Sequence, residues 1–144
     1  MPPIARTFVK AAFVYFFVAF LLGALMMLDR WLDFSRWLRV VYMSQLHLLM
    51  VGWITQLGIG VASWIFPRFL KEQDPRPRGS DTLAWFVLIS LNAGLLLRFV
   101  GEPFYLMGAK PWLAALIAVS GVLQALAAAG FGWIIWGRIR AMER

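Results

Sequence analysis

Four long apolar runs divide the chain, and polar stretches separate them. The runs cover about residues 8–28, 38–66, 82–103 and 111–136. An α-helix rises 1.5 Å per residue, so about 20 apolar residues cross a hydrocarbon core of about 30 Å. Each run is long enough for one crossing. The pattern therefore predicts an all-α fold: a single transmembrane domain over residues 1–144, built as an integral membrane four-helix bundle.

The connections between the runs carry signals for helix ends. Residues 29–39 interleave charged and aromatic side chains, which is typical of a short amphipathic segment at the membrane interface. Residues 71–81 are polar and rich in proline and glycine, so they predict a loop. Ser80 or Asp81 is suited to cap the third helix, and Pro111 is suited to the first turn of the fourth.

Composition and charge support a membrane protein and exclude other classes. Hydrophobic residues make up 62% of the chain, against about 45–50% in a soluble domain. The net charge of +7 does not indicate nucleic-acid binding, because the basic residues flank the apolar runs. The absence of cysteine excludes disulfides, thiolate metal sites and cysteine-attached heme.

The basic residues also predict an orientation in the lipid bilayer. Nine Lys and Arg belong to the N-terminus, the second loop and the C-terminus, and four belong to the opposite side. Lys and Arg accumulate in the cytoplasmic parts of membrane proteins. We therefore expect a multi-pass protein of the cytoplasmic (inner) membrane with both termini in the cytoplasm.

The second run carries more polar and small residues than a lipid-facing helix needs, and it holds the only histidine, His47. Because an unpaired polar group is costly in hydrocarbon, such side chains are expected to face a partner, a cavity or a cofactor. At 100° per residue, Thr55 and Gly58 share the face of His47. The other side of the helix carries Gln45, Gly52, Gln56 and Ser63.

The alternation of spans predicts that His47 and Arg98 lie at one depth, with Glu102 one turn further out. A neutral imidazole at position 47 can bind heme iron, and Gly58 leaves room for a flat macrocycle. Arg98 is the one cation inside a span that could pair with a heme propionate, and Glu102 lies beside it. Met43 could donate a thioether sulfur to the iron, as could Met50.

Simpler interpretations of the same residues stay open. His47 could instead hydrogen-bond to a glutamine or threonine on a neighbouring helix. Arg98 and Glu102 could form an i,i+4 ion pair at the membrane boundary, and Asn92 and Gln124 could bridge helices by hydrogen bonds. A small-residue surface of the fourth span could pack helices within the chain or between subunits; it consists of Gly121, Ala125, Ala128, Ala129 and Gly132.

Several motifs resemble the heme–copper oxidase subunit I superfamily, in particular its short four-span relatives and the heme- and copper-containing membrane proteins of nitric-oxide response. They are His-Leu-Leu-Met-Val-Gly-Trp at 47–53, Gly-Val-Ala-Ser-Trp-Ile-Phe-Pro-Arg at 60–68, Leu-Asn-Ala-Gly at 91–94 leading to Arg98 and Gly-Glu-Pro at 101–103, and Leu-Gln-Ala at 123–125 leading to Trp-Gly-Arg at 136–138. The resemblance implies b-type heme, bound through helix histidines on the outer side of the membrane.

The chain departs from that family in ways that restrict the chemistry. Relatives often have His-x-His where this chain has Gln45 followed by His47. No second histidine completes bis-histidine ligation, and none forms a copper site or a tyrosine–histidine pair, so full oxidase chemistry is excluded for this chain alone. A heme would be five-coordinate, use a ligand other than histidine, or be shared with His47 of another subunit.

Three functions follow as hypotheses. The first is a small heme-b membrane protein, a homo-oligomer working in electron transfer or in gas or redox sensing, with an iron ligand at His47. The second is a structural or assembly subunit of a respiratory complex without a cofactor. The third is a quinone-binding module that uses His47, Arg98 and Glu102.

Overall fold

The chain folds into helices only, over the part that the computed structural model describes, residues 1–66 and 79–140. Four helical spans are long and apolar enough to cross a membrane, which confirms the predicted all-α membrane bundle. The elements in order are α1 (Pro3–Leu32), α2 (Arg36–Val40), α3 (Tyr42–His47), a π-helix (Leu48–Thr55), α4 (Gln56–Ile65), α5 (Asp81–Met107) and α6 (Pro111–Arg140). Most of the predicted loop at 71–81 and the Pro67–Arg68 piece of the family resemblance lie outside the described residues.

The second span, Tyr42–Ile65, is continuous but changes its winding midway. It consists of α3, the π-helix and α4. In a π-helix the backbone bonds from i to i+5, and such segments are often found at functional sites. The Thr55 hydroxyl follows the same spacing, since it donates to the Met50 carbonyl at 2.8 Å. A π-helix has more residues per turn than an α-helix. Positions that share one face at 100° per residue therefore do not stay aligned through this segment.

The connection from α1 to α2 is a turn built on one buried carboxylate, where the sequence predicts only a surface segment. The backbone N–H groups of Phe34 and Ser35 donate to Asp29 Oδ1 at 2.9 and 2.7 Å. Asp33 ends α1 in the left-handed conformation with φ 49°, which aspartate tolerates better than most residues. Arg39 pairs with Asp33. We call this side of the bundle, with the α5–α6 turn, the α2 end.

The third and fourth spans begin as predicted, but the third ends later. The Ser80 hydroxyl caps α5 by accepting from the N–H of Leu83 at 3.3 Å, and α6 begins at Pro111. The predicted third span stops at Pro103, whereas α5 continues through Pro103 to Met107. Proline removes one backbone bond, a loss that membrane helices tolerate because neighbouring groups satisfy the freed carbonyl.

Glycines allow the helices to approach closely at the centre of the bundle. A Cβ at Gly52 would stand 2.7 Å from Tyr15 Cγ of α1, and one at Gly60 would stand 2.9 Å from Phe8 Cβ. A Cβ at Gly94 would stand 2.9 Å from the Ser120 carbonyl oxygen of α6. One apolar cluster joins α1, α4, α5 and α6: Ile4, Phe8, Ile59, Val87, Leu88, Leu91 and Ala127. A second lies nearer the α2 end: Ala19, Leu22, Leu38, Val41, Leu48 and Leu95.

Candidate functional site

His47 stands at the last position of α3, immediately before the π-helix. Its Nδ1 lies 2.8 Å from the carbonyl oxygen of Met43, one turn earlier. Because a carbonyl oxygen can only accept, Nδ1 carries the proton and donates it. In a neutral ring Nε2 is then the nitrogen without a proton, and its lone pair can take a proton donor or a metal ion. This arrangement of a donating Nδ1 and a bare Nε2 is the one that metal-ligating histidines use.

The His47 ring lies on the outward side of the second span, not in the centre of the bundle. The ring is half-buried, and the methionine Met50 beyond it is 51% exposed. Thr55 and Gly58, predicted to share the face of His47, are exposed as well. A Cβ at Gly58 would meet no atom within 4 Å. The described residues therefore leave this face open, and a planar ligand on it needs a cover from another molecule.

The opposite side of the second span packs within the chain. Gly52 and Gln56 are buried, and Gly52 faces α1 and α5. Gln45 Nε2 donates to the Ala19 carbonyl of α1 at 3.2 Å. This face of the second span therefore packs against α1 and α5 of the same chain.

Arg98 and Glu102 form the predicted i,i+4 pair, with Nη2 3.5 Å from Oε1. A third residue, missed in the sequence, joins them: the buried Ser44 hydroxyl of α3 donates to Glu102 Oε2 at 3.2 Å. The cluster thus connects α3 to α5. The Nε–H group of Arg98 is buried and has no hydrogen-bond acceptor among the described residues.

The structure brings Arg98 and Glu102 together, and it places His47 at the level of Arg98 on the adjacent span. Ser44 stands opposite Glu102. From that contact His47 lies three residues deeper along α3 and Arg98 four residues deeper along α5, about 5–6 Å in each case. The two therefore share one layer, as predicted. Ser44 faces α5, and residues three apart lie on the same side of an α-helix, so His47 lies one turn deeper on the part of the α3 surface next to that contact.

A polar layer deeper in the bundle includes residues that the sequence analysis did not single out. The Tyr15 hydroxyl of α1 donates to Asn92 Oδ1 of α5 at 2.8 Å. Asn92 therefore bridges helices as predicted, whereas Gln124 bonds to Ser120 within α6 at 3.4 Å. Gln56 is fully buried, and among the described residues neither of its amide atoms has a hydrogen-bond partner.

Replacing Gln56 by leucine is expected to stabilise the protein by about 1–2 kcal/mol. A buried amide that makes no hydrogen bond retains its desolvation cost, and an apolar side chain of similar size removes it. The midpoint of thermal unfolding in detergent would rise in this variant. Gln124→Leu is the matched control: it removes an amide that has a partner, so no gain is expected. A lower midpoint for Gln56→Leu would show that the amide is satisfied in the folded protein.

Arg138, which the sequence places in the basic C-terminus and in the Trp-Gly-Arg piece of the family resemblance, is an interior residue. It is 1% exposed, and its guanidinium donates to the carbonyls of Ser63, at 3.2 Å, and Phe66. These carbonyls belong to the last turn of α4, where backbone acceptors lack helical partners and the dipole is negative. Arg138 therefore fastens α6 to the end of the second span.

Within residues 1–66 and 79–140, no group of three histidine, aspartate or glutamate side chains could hold a metal ion. Comparison with known proteins found no matching family model, no similar curated protein and no similar solved structure. The heme–copper oxidase resemblance accordingly stays a prediction from the motifs.

Proposed function

We propose that this protein is a small heme-b membrane protein in which His47 binds the iron. The observation that carries the proposal is the bond from His47 Nδ1 to the Met43 carbonyl, which leaves Nε2 of the neutral ring as the metal-binding nitrogen. An imidazole held in this tautomer can coordinate iron without first losing a proton.

Three features of the chain fit the group. Nε2 supplies the ligand, the open surface at Gly58 leaves space beside the helix, and the buried Nε of Arg98 has no partner in the described part of the chain. That donor, with the neighbouring Glu102 to hold the guanidinium in place, suits a propionate close to the membrane boundary. Thr55 is exposed on the same side as Gly58, with its hydroxyl held by the Met50 carbonyl.

Because His47 is only half-buried and lies beside an open face, we infer that two copies of the chain share the site. One chain provides a single histidine ligand and would cover only one side of a bound heme. In a two-fold symmetric dimer each copy presents the same surface, so His47 of both copies would face a common space. The small-residue surface of α6 offers a further close contact between copies, since Ala125, Ala128, Ala129 and Gly132 are all exposed.

The activity that suits this arrangement is electron transfer or the sensing of a gas or of redox state. A bound heme b would supply a one-electron iron couple or a binding position for a diatomic gas. The chain's own residues would orient the ligand through Met43, hold a propionate through Arg98, and exclude water by the apolar surroundings of the span. Electron exchange with a respiratory-chain partner would require no further residue at the iron.

Purified wild-type protein is expected to show a b-type absorption spectrum and a pyridine hemochrome, and His47→Ala is expected to lose both. Gln45→Leu is the matched control, because Gln45 lies on the same helix but faces α1. This variant should keep its heme. A folded wild-type protein without colour, or an unchanged spectrum in His47→Ala, would overturn the proposal.

A second candidate is a structural or assembly subunit of a respiratory complex without a cofactor. The observation that favours it is the large outward apolar surface, with Trp133 79% and Trp136 62% exposed on α6, which suits packing against other membrane subunits. This function predicts co-purification with larger partners and full assembly of the complex with His47→Gln.

A further inference from the structure

Two neighbouring grooves lie on the outward-facing surface of the bundle, where α1 meets α2 and α3. The first, about 410 Å³, is lined by Met26, Met27, Asp29, Arg30, Leu38, Arg39 and Tyr42. The second, about 400 Å³, is lined by Phe20, Gly23, Ala24, Met27, Gln45 and Leu49. Met27 lines both, so the two grooves adjoin along α1, and we call them together the α1–α3 groove.

The α1–α3 groove has the length and polarity of one lipid leaflet. From Phe20 to Arg30 it extends about 15 Å along α1, which is about half of the hydrocarbon core. Its deep half is apolar, apart from Gln45, whose amide donates to the Ala19 carbonyl. Its upper half ends among charged and hydroxyl groups at the α2 end. Gly23 has no side chain and Ala24 has only a methyl group, which leaves the groove deep enough for an alkyl chain.

The upper half carries an unused positive charge. Arg39 is engaged by Asp33 and lies 3.8 Å from Asp29, and the Asp29 carboxylate accepts two backbone N–H groups and is buried. Arg30 lines the same space and is exposed, and it has no ion-pair partner in the described residues. The Tyr42 side chain, 51% exposed, adds a hydroxyl donor. A phosphate at this position would meet a guanidinium and a hydroxyl.

We propose that the α1–α3 groove binds one anionic phospholipid. Its phosphate lies against Arg30 and Tyr42, and one acyl chain follows Met27 and Gly23 down to Phe20 and Leu49. The positive charge of Arg30 favours an anionic head group, and the apolar deep half of the groove accommodates the acyl chain. The site is independent of heme, because Gln45 lines the groove while His47 projects from the other side of α3.

Native mass spectrometry of the purified protein with added phosphatidylglycerol or phosphatidylcholine tests the proposal. The wild type is expected to bind phosphatidylglycerol at least several-fold more tightly than phosphatidylcholine. Arg30→Gln should remove this preference. Ala24→Phe, at an exposed position of the groove floor, should weaken the binding of both lipids, because the ring occupies the place of the chain.

Two matched controls separate the groove from general effects of charge and bulk. Arg36→Gln removes an exposed arginine of the same connection that does not line the groove, and it should keep the preference. Ala114→Phe adds the same ring at an exposed position of α6 and should leave both affinities unchanged. Equal affinity of the wild type for the two lipids, or the same loss in Arg36→Gln as in Arg30→Gln, would overturn the proposal.

Discussion

Gly52→Leu is expected to be the most damaging single substitution in the chain, with a loss of about 3 kcal/mol of stability or a failure to fold. A Cβ at position 52 would approach Tyr15 Cγ to 2.7 Å and Leu95 Cδ2 to 2.8 Å, far inside ordinary contact distances. Both neighbours are core groups on different helices. Overpacking of this kind costs about 1–3 kcal/mol and occasionally more, because rotamers and backbone must shift.

Gly58→Leu provides the control, because it adds the same side chain six residues later in the same span, where nothing lies within 4 Å of a new Cβ. In the heme-free His47→Ala background its thermal midpoint in detergent should match that of the parent protein, while the Gly52→Leu protein unfolds at a much lower temperature or aggregates. Equal midpoints for the two variants would show that α1 does not pack closely on the π-helix.

Arg138→Gln is expected to cost about 3 kcal/mol. The guanidinium donates to the carbonyls of Ser63 and Phe66, and hydrogen bonds to a charged group contribute about 1.5–3 kcal/mol each. Glutamine is too short to reach both carbonyls, so the end of α4 would lose a partner and α6 would loosen. Arg138→Lys should lose less, since it keeps the charge at the negative end of the helix dipole.

Arg6→Gln is the matched control for Arg138→Gln. Arg6 lies at the same end of the bundle but is exposed, with a single bond to the Met1 carbonyl. We expect no measurable change in its unfolding midpoint. If the two glutamine variants unfold together near the wild-type temperature, the buried position of Arg138 is wrong.

The architecture was predictable because hydrophobic length dominates it. The four spans, the Ser80 cap and the start of α6 at Pro111 all follow from local signals. The π-helix did not follow, because its sequence, Leu48–Thr55, carries no residue that distinguishes i→i+5 from i→i+4 bonding. The continuation of α5 beyond Pro103 also depends on packing and not on local propensity.

The sequence predicted the depth of the candidate site residues in the membrane, but not the direction in which their side chains point. Counting residues along antiparallel helices places His47 and Arg98 in one layer, but the helix that each side chain faces is fixed only by how the helices pack. Ser44 and Arg138 were missed for the same reason: a serine or a terminal arginine gains its role from a partner distant in sequence, Glu102 in one case and the end of α4 in the other.

The ratio of heme to polypeptide, measured together with the molar mass of the purified complex, tests the central claim most directly. Shared ligation by His47 predicts a dimer with one b-type heme per two chains, and His47→Ala should yield a folded protein without heme. A folded wild-type protein that holds no heme, one heme for each chain, or full heme content in His47→Ala would contradict it.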